Sequence, residues 1–257
     1  MRLESSPTKA ALPRETISLF DVDVTDVTLE DAAAIIDLYC QQAGFTSNAV
    51  FFVNAHTLNL ANRSQPFKSV LREAHTVFGD GTGVRLAARW LRGVRLKANV
   101  NGTDLLPFYL SQSTHGSRSC FLLGAAPDVI SCSAESAAEM FPHWNFAGYQ
   151  HGFFGADEED QIINRINALK PNLLLVGMGN PQQELWIHRH LNRLNVGCCI
   201  GVGALLDYWA GKEVRSPEWM QRTGLEWLYR MFLQKGKFQR YALGVPEFIV
   251  NVLRAPR

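Results

Sequence analysis

The sequence predicts an α/β fold: a mostly parallel sheet with helices on both faces, followed by a C-terminal helical appendage. Three observations carry this. Short apolar runs alternate with helix-like segments along most of the 257 residues. The runs end repeatedly in glycine-rich or polar turns, the places where such sheets bind ligands. The composition, 47% hydrophobic and 19% charged, is enough for a sizeable core.

Residues 1–15 are polar, contain Pro and Ser, and are expected to be loose. The run 18–24 reads as a strand. Thr28 and Asp31 form a capping-box-like start to a helix through 33–38. An apolar strand at 50–53 ends at Asn54. Val77 and Phe78 end a strand at Gly79-Asp80-Gly81, and a helix through 86–91 follows. The rhythm then repeats, with strands at 120–123 and 146–149 around a helix over 129–140. Asp157, Glu158, Glu159 and Asp160 open another helix, where acids suit the positive end of the dipole. A strand at 173–176 ends at Gly177-Met178-Gly179-Asn180-Pro181, before a helix carrying Leu185, Ile187 and Leu191. A strand at 198–200 ends at Gly201-Val202-Gly203. The α/β part thus spans 16–210 and is Rossmann-like.

From 211 the composition shifts. Trp219, Met220, Gly224, Trp227, Leu228 and Met231 recur at helical spacing, and Pro246 is expected to interrupt a later apolar helix over 248–253. Residues 212–257 hold nine Lys/Arg and four Glu, a charge of +5 on a chain whose net charge is +1. A basic tail on a mildly acidic body suggests an anionic partner, although a solvated helical face explains it as simply. The near-neutral whole argues against a protein that coats nucleic acid. Five Cys with no CxxC and no Cys/His metal spacing indicate free thiols and a reducing, cytoplasmic setting, with Cys198 and Cys199 buried. No secretory signal and no apolar run of spanning length is visible, so membrane contact is expected to be peripheral.

The turns supply the candidate chemistry. In Gly79-Asp80-Gly81-Thr82-Gly83 an acid held between glycines can approach a ligand closely, and the amides of Gly81, Thr82 and Gly83 can face a phosphate or sugar. An ordinary Asp-Gly turn explains the string equally well. Asn54, His56 and Thr57 offer groups that orient sugar hydroxyls, with helix capping by Asn54 or Thr57 as the simpler alternative. Asn101, Thr103 and Asp104 open a helix, Thr103 or Asp104 being the expected cap. Gly177 and Gly179 allow close backbone approach, and Asn180, Gln182, Gln183 and Glu184 then sit at a helix mouth within reach of a base or sugar. Gly203 belongs to a second glycine turn, with Asp207 four residues on. A dinucleotide site is disfavoured, because the third glycine and the following acid are missing. Asp21-Val22-Asp23 matches a metal-binding Asp-x-Asp string but lies in the first predicted strand, so no obligatory metal is expected.

Together the strings 53–61 (VNAHTLNLA), 78–84 (FGDGTGV), 101–105 (NGTDL), 177–187 (GMGNPQQELWI), 201–220 (GVGALLDYWAGKEVRSPEWM) and 224–230 (GLEWLYR) resemble the WecG/TagA/CpsF family of bacterial glycosyltransferases. The resemblance runs from about Leu19 to Tyr241. It implies inverting, metal-independent transfer of a hexose or N-acetylhexosamine-type sugar from a UDP-sugar to a polyprenyl-diphosphate-linked saccharide. The reaction would take place at the inner face of the cytoplasmic membrane and serve cell-surface polysaccharide synthesis. It implies Asp80 as general base and Gln183 near the nucleotide-sugar. Arg215, Arg230 and Arg240, with Arg222 and Lys237 in the same basic tail, are expected to engage the diphosphate or an anionic membrane surface. One departure stands out: aligning Asn54 to the family's Thr-x-Asn leaves Phe52 where the Thr belongs. No cofactor beyond the donor is implied, and a homo-oligomer is compatible with the sequence. Two other readings remain open at this level, a nicotinamide-dependent oxidoreductase and a non-catalytic nucleotide-sensing domain.

Overall fold

The computed structural model describes residues 15–42, 46–112, 118–233 and 238–256, and at 222, 230, 233 and 239–241 the backbone alone. All of the 1–15 segment except Glu15 therefore lies outside the described residues, as do Lys237 and the side chains of Arg222, Arg230 and Arg240.

The chain opens with a hairpin, β1 (Thr16–Leu19) and β2 (Val22–Thr25), paired antiparallel. This corrects the single strand expected over 18–24. The turn is made by Phe20 and Asp21 at φ 54° and 65°. Both are in the left-handed conformation that two-residue hairpins use, but with no glycine or asparagine to signal it. Helix α1 (Leu29–Cys40) follows, and Thr28 caps it by accepting from Asp31 N. Next come β3 (Asn48–Val53), α2 (Ala55–Arg63), α3 (Gln65–Arg72), β4 (Thr76–Gly79), α4 (Thr82–Arg92) and α5 (Gly102–Gln112). The second half runs β5 (Ser119–Gly124), α6 (Pro127–Met140), β6 (Asn145–Gln150), α7 (Glu159–Leu169), β7 (Leu173–Gly177), α8 (Gln182–His190), β8 (Cys198–Gly201) and α9 (Leu205–Trp209). Three helices complete the chain: α10 (Glu218–Thr223), α11 (Glu226–Leu233) and α12 (Phe238–Arg254).

The eight strands form one sheet in the order β1-β2-β4-β3-β8-β7-β5-β6, parallel except for β1. Strands β3, β7 and β8 are buried throughout because helices cover both faces, so they read as continuous apolar runs. Alternate side chains serve opposite cores. Phe51, Val53, Leu174, Val176 and Cys199 pack with α2, α3, α4, α7 and α8. Val50, Phe52, Leu173, Leu175 and Cys198 pack with α1, α5, α6 and α9. Cys40, Cys120, Cys198 and Cys199 are buried free thiols, and burial pushes the last three above the usual thiol range.

The last helix differs from expectation: Pro246 lies inside α12, which runs through it. Packing on both sides holds the helix together. Phe248 is buried in the core beside Gly83, the Gly244 carbonyl accepts from Asn59 Nδ2 at 2.8 Å, and Asn251 donates to Asn59. Glu247 pairs with Arg63. Among the described residues no helix is long and apolar enough to cross a membrane.

Candidate active site

A cleft of about 840 Å³ runs across the C-terminal ends of the parallel strands. Chain direction creates it. From β5 the chain leaves towards β6, whereas from neighbouring β7 it leaves towards β8. The loops diverge there and open a crevice, as in other sheets of this kind.

Asp80 follows β4 directly. Its amide donates to the Val53 carbonyl at 2.8 Å, which extends the parallel ladder and fixes the backbone, and its half-buried carboxylate lines the cleft. Asn54 holds the corresponding place after β3 and caps α2. The Asn54 Oδ1 accepts from Thr57 N at 3.1 Å and from Thr57 Oγ1 at 3.2 Å. That leaves Nδ2 to donate to Asp80 Oδ2 at 3.4 Å. Thr57 is fully buried, so it reaches the cleft only through Asn54. Phe52 lines the cleft wall and stacks at 5.8 Å on Phe78.

The glycine turn after Asp80 does different work from that expected. Gly81 has φ 91° and its amide donates to Asn99 Oδ1 at 2.6 Å. Thr82 Oγ1 meets the Gly224 carbonyl at 3.5 Å, and a side chain at Gly83 would press on Ala55 and Phe248. None of the three lines the cleft. Gly83 leaves room for Phe248 of α12, and Gly224, just after α10, leaves room for Thr82. At α5 the cap is Asn101, not Thr103 or Asp104. Asn101 Oδ1 accepts from Asp104 N at 2.9 Å and from Thr103 Oγ1 at 2.8 Å, as its position one residue before the helix dictates. Thr103 lines the cleft, whereas Asp104 instead pairs with Arg215 at 2.8 Å.

Gln183 ties two loops together. Its Oε1 accepts from Gly179 N at 3.2 Å and from Gly203 N at 3.0 Å, and its Nε2 donates to the buried Glu184 at 2.8 Å. Glu184 also accepts from Asn180 Nδ2 at 2.5 Å. Gly201 leaves space for Gln183, since a Cβ there would lie 2.9 Å from Nε2. Gly177 is equally constrained: a Cβ would meet Leu206 at 2.8 Å. The amides of Gly179 and Gly203 are thus engaged by a side chain. Gly177, Gly179, Asn180, Gln182, Gln183, Gly203 and Asp207 all border the cleft, and Glu184 stands behind it.

Three parts of the cleft escaped sequence reasoning. Ala125 and Ala126 follow β5, and Gly152, Phe153 and Phe154 follow β6. Phe153 is 73% exposed. Their only signal was position after a strand end. Lys212 and Glu213 also line the cleft, because their amides turn back onto the Asp207 carbonyl past Gly211 at φ 70°. Lys212 is the one cation among the described lining residues, which also include the acids Asp80, Asp207 and Glu213. Asp21 of the Asp-x-Asp string pairs with Lys68 at 3.3 Å in the hairpin turn, and neither lines the cleft.

An acid braced at a strand end, in a cleft over a mostly parallel sheet, is a Rossmann-like site with a candidate general base. The sequence profile of the glycosyl transferase WecG/TagA/CpsF family matches residues 17–257, and the chain belongs to that family. It is a glycosyltransferase; the oxidoreductase and sensor readings give way. Among its relatives is the N-acetylglucosaminyldiphosphoundecaprenol N-acetyl-beta-D-mannosaminyltransferase of Staphylococcus aureus strain NCTC 8325 / PS 47. That protein is 28% identical over 243 residues, covering 94% of this chain and 93% of the relative. The protein of the same name from strain COL matches to the same extent.

Proposed function

We propose that the protein moves an N-acetylhexosamine, N-acetylmannosamine first among the candidates, from a UDP-sugar to a polyprenyl-diphosphate-linked N-acetylglucosamine, with inversion. The names of the staphylococcal relatives support the acceptor and the sugar. The observation that carries the mechanism is the Asn54–Asp80 contact at one end of a cleft whose other end lies over the β5–β7 crevice. The nucleotide fits the crevice end, beside Phe153, and the transferred sugar fits near Asp80.

Transfer is then a single displacement. The acceptor hydroxyl oxygen bonds to the anomeric carbon, its proton passes to Asp80, and the bond from the anomeric carbon to the diphosphate breaks. UDP leaves with the bonding pair. Asn54 donates to one Asp80 oxygen and so holds the carboxylate at the strand end where the acceptor would meet it. Lys212 and the N-termini of α6 and α8 offset the charge of the leaving diphosphate. No metal or other cofactor is part of this reading, so turnover is expected to survive chelation. The basic C-terminal segment, including Arg215 and the arginines at 222, 230 and 240, is assigned to the acceptor diphosphate or to the cytoplasmic membrane surface.

The test is UDP release, with product mass, from a panel of UDP-sugars and a short-chain polyprenyl-diphosphate-N-acetylglucosamine. Asp80→Asn is expected to lower turnover by about 10²–10⁴, the usual range for losing a general base, with UDP affinity retained. Near-normal turnover by that variant would remove Asp80 from the mechanism.

A further inference from the structure

Helix α4 begins two residues after Asp80 and has two unlike sides. Val84, Ala87, Ala88 and Leu91 are buried against the sheet. On the outer side Leu86 is 61% and Trp90 49% exposed, one turn apart, and Val94 (38%) follows the left-handed cap at Gly93. From Gly81 to Thr103 the chain holds Arg85, Arg89, Arg92, Arg95 and Lys97 and no acidic residue. Two of these cations have structural work: Lys97 pairs with Glu15, and Arg92 donates to the carbonyls of Ser18 and Pro256. Arg85, Arg89 and Arg95 take part in none of the ion pairs among the described residues.

A helix face meant only for water carries charges of both signs or small polar groups. Large apolar side chains on a segment whose own charges are all cationic suit a surface where an apolar layer lies beneath an anionic one. The neighbouring helix extends the character. α12 touches α4 through Phe248 at Gly83, the Pro256 carbonyl just beyond α12 accepts from Arg92, and α12 exposes Ile249 and Leu253, also one turn apart.

We propose that the outer face of α4 docks on an anionic lipid bilayer. Leu86, Trp90 and Val94 enter the headgroup boundary, and Arg85, Arg89 and Arg95 pair with lipid phosphates. Because α4 leaves the sheet at Asp80, docking along it sets that end of the cleft beside the bilayer. The last step rests on the lipid-linked acceptor proposed above; the docking itself does not.

The test is sedimentation of the full-length protein with vesicles of phosphatidylcholine, alone or mixed with phosphatidylglycerol. Binding is expected only to the mixed vesicles. Arg85→Glu with Arg89→Glu is expected to weaken it by roughly thirtyfold or more, given the usual contribution of each surface cation. Leu86→Ser with Trp90→Ser is expected to abolish the salt-resistant part. Both variants should keep wild-type turnover on a soluble short-chain acceptor, so a failure here is separable from a failure of the transferase reading. Should the serine pair fold poorly, the exposed arginine pair carries the test alone. Undiminished vesicle binding by the arginine variant would overturn the proposal. So would a shift from dimer to monomer on gel filtration without loss of vesicle binding, which would make α4 a contact between two copies.

Discussion

Gln183 shows how one side chain can hold a site without being its chemistry. It is buried, and it satisfies the Gly179 and Gly203 amides, which come from loops on adjacent strands. Gln183→Leu fills similar space but leaves both amides without that acceptor. At about 1–3 kcal/mol for an unsatisfied buried donor, it is expected to lower the unfolding free energy by about 2 kcal/mol in a urea titration. The donor KM should rise as well, since both loops border the cleft. An unchanged urea midpoint would show that water replaces the side chain without penalty. The sequence placed Gln183 at a helix mouth and, by family resemblance, near the nucleotide. It could not show which amides Gln183 meets, because Gly203 lies twenty residues away and adjoins only through the β7–β8 pairing. Thr57 hid its role for a related reason: a residue three positions past a cap is a ligand group or a brace depending on which way the helix faces.

Among the elements, α1 is fastened to the start of β5 by a polar cluster. Asp37 on α1 pairs with Arg118, just before β5, and Tyr109 Oη lies 2.7 Å from Arg118 Nη1. Burial pushes the Asp37 carboxyl up, but the hydrogen bond and charge of Arg118, with bonds from Gln41 and Tyr109, outweigh it and hold the group below its usual value. A carboxyl lowered on folding contributes stability that is complete above its unfolded value, about 3.9, and is lost as pH falls through the folded value. Asp37→Asn is therefore expected to cost about 2 kcal/mol near neutral pH, the scale of a hydrogen bond to a charged group. The cost should close below about pH 4, and urea midpoints measured across that range check it. A constant difference down to acid pH would mean that packing, not charge, holds α1. The elements also mark where sequence patterning stops. The β1–β2 turn was missed because Phe20 and Asp21 adopt left-handed backbone without glycine. Helices α2 and α3, with the break at Ser64, fill a stretch where only a cap at Asn54 or Thr57 was read. Pro246 misled because its cost is local, whereas Phe248 and the Asn59 bonds that carry α12 through it are tertiary.

At the scale of the whole molecule, the site is the rim of one sheet, contributed by six neighbouring strand ends in the spatial order β4, β3, β8, β7, β5, β6. Glycine and polar turns marked the first four in the sequence. The β5 and β6 ends were invisible because Ala125, Ala126 and Phe153 are ordinary loop residues until the sheet order places them beside the crevice. That order gives the reaction an axis. Four strand steps separate Asp80 after β4 from Ala125 after β5, about 19 Å at the usual spacing. This leaves room for a sugar, a diphosphate and a base in line. Side chains at the two ends should then fail in different ways. Phe153, exposed at the β6 end, has an open aromatic face for the nucleobase, and such stacking contributes about 1–3 kcal/mol. Phe153→Ala is expected to raise the donor KM by about tenfold with little change in kcat, because the base is held alike in ground and transition states. Asp80→Asn should do the reverse, since proton removal occurs only in the transition state. Steady-state kinetics on the two variants and the double variant check the axis, and their effects should multiply if the ends act independently. If Phe153→Ala lowered kcat and spared KM, the donor would lie the other way round, with its sugar at the β6 end and Asp80 too distant to serve as base.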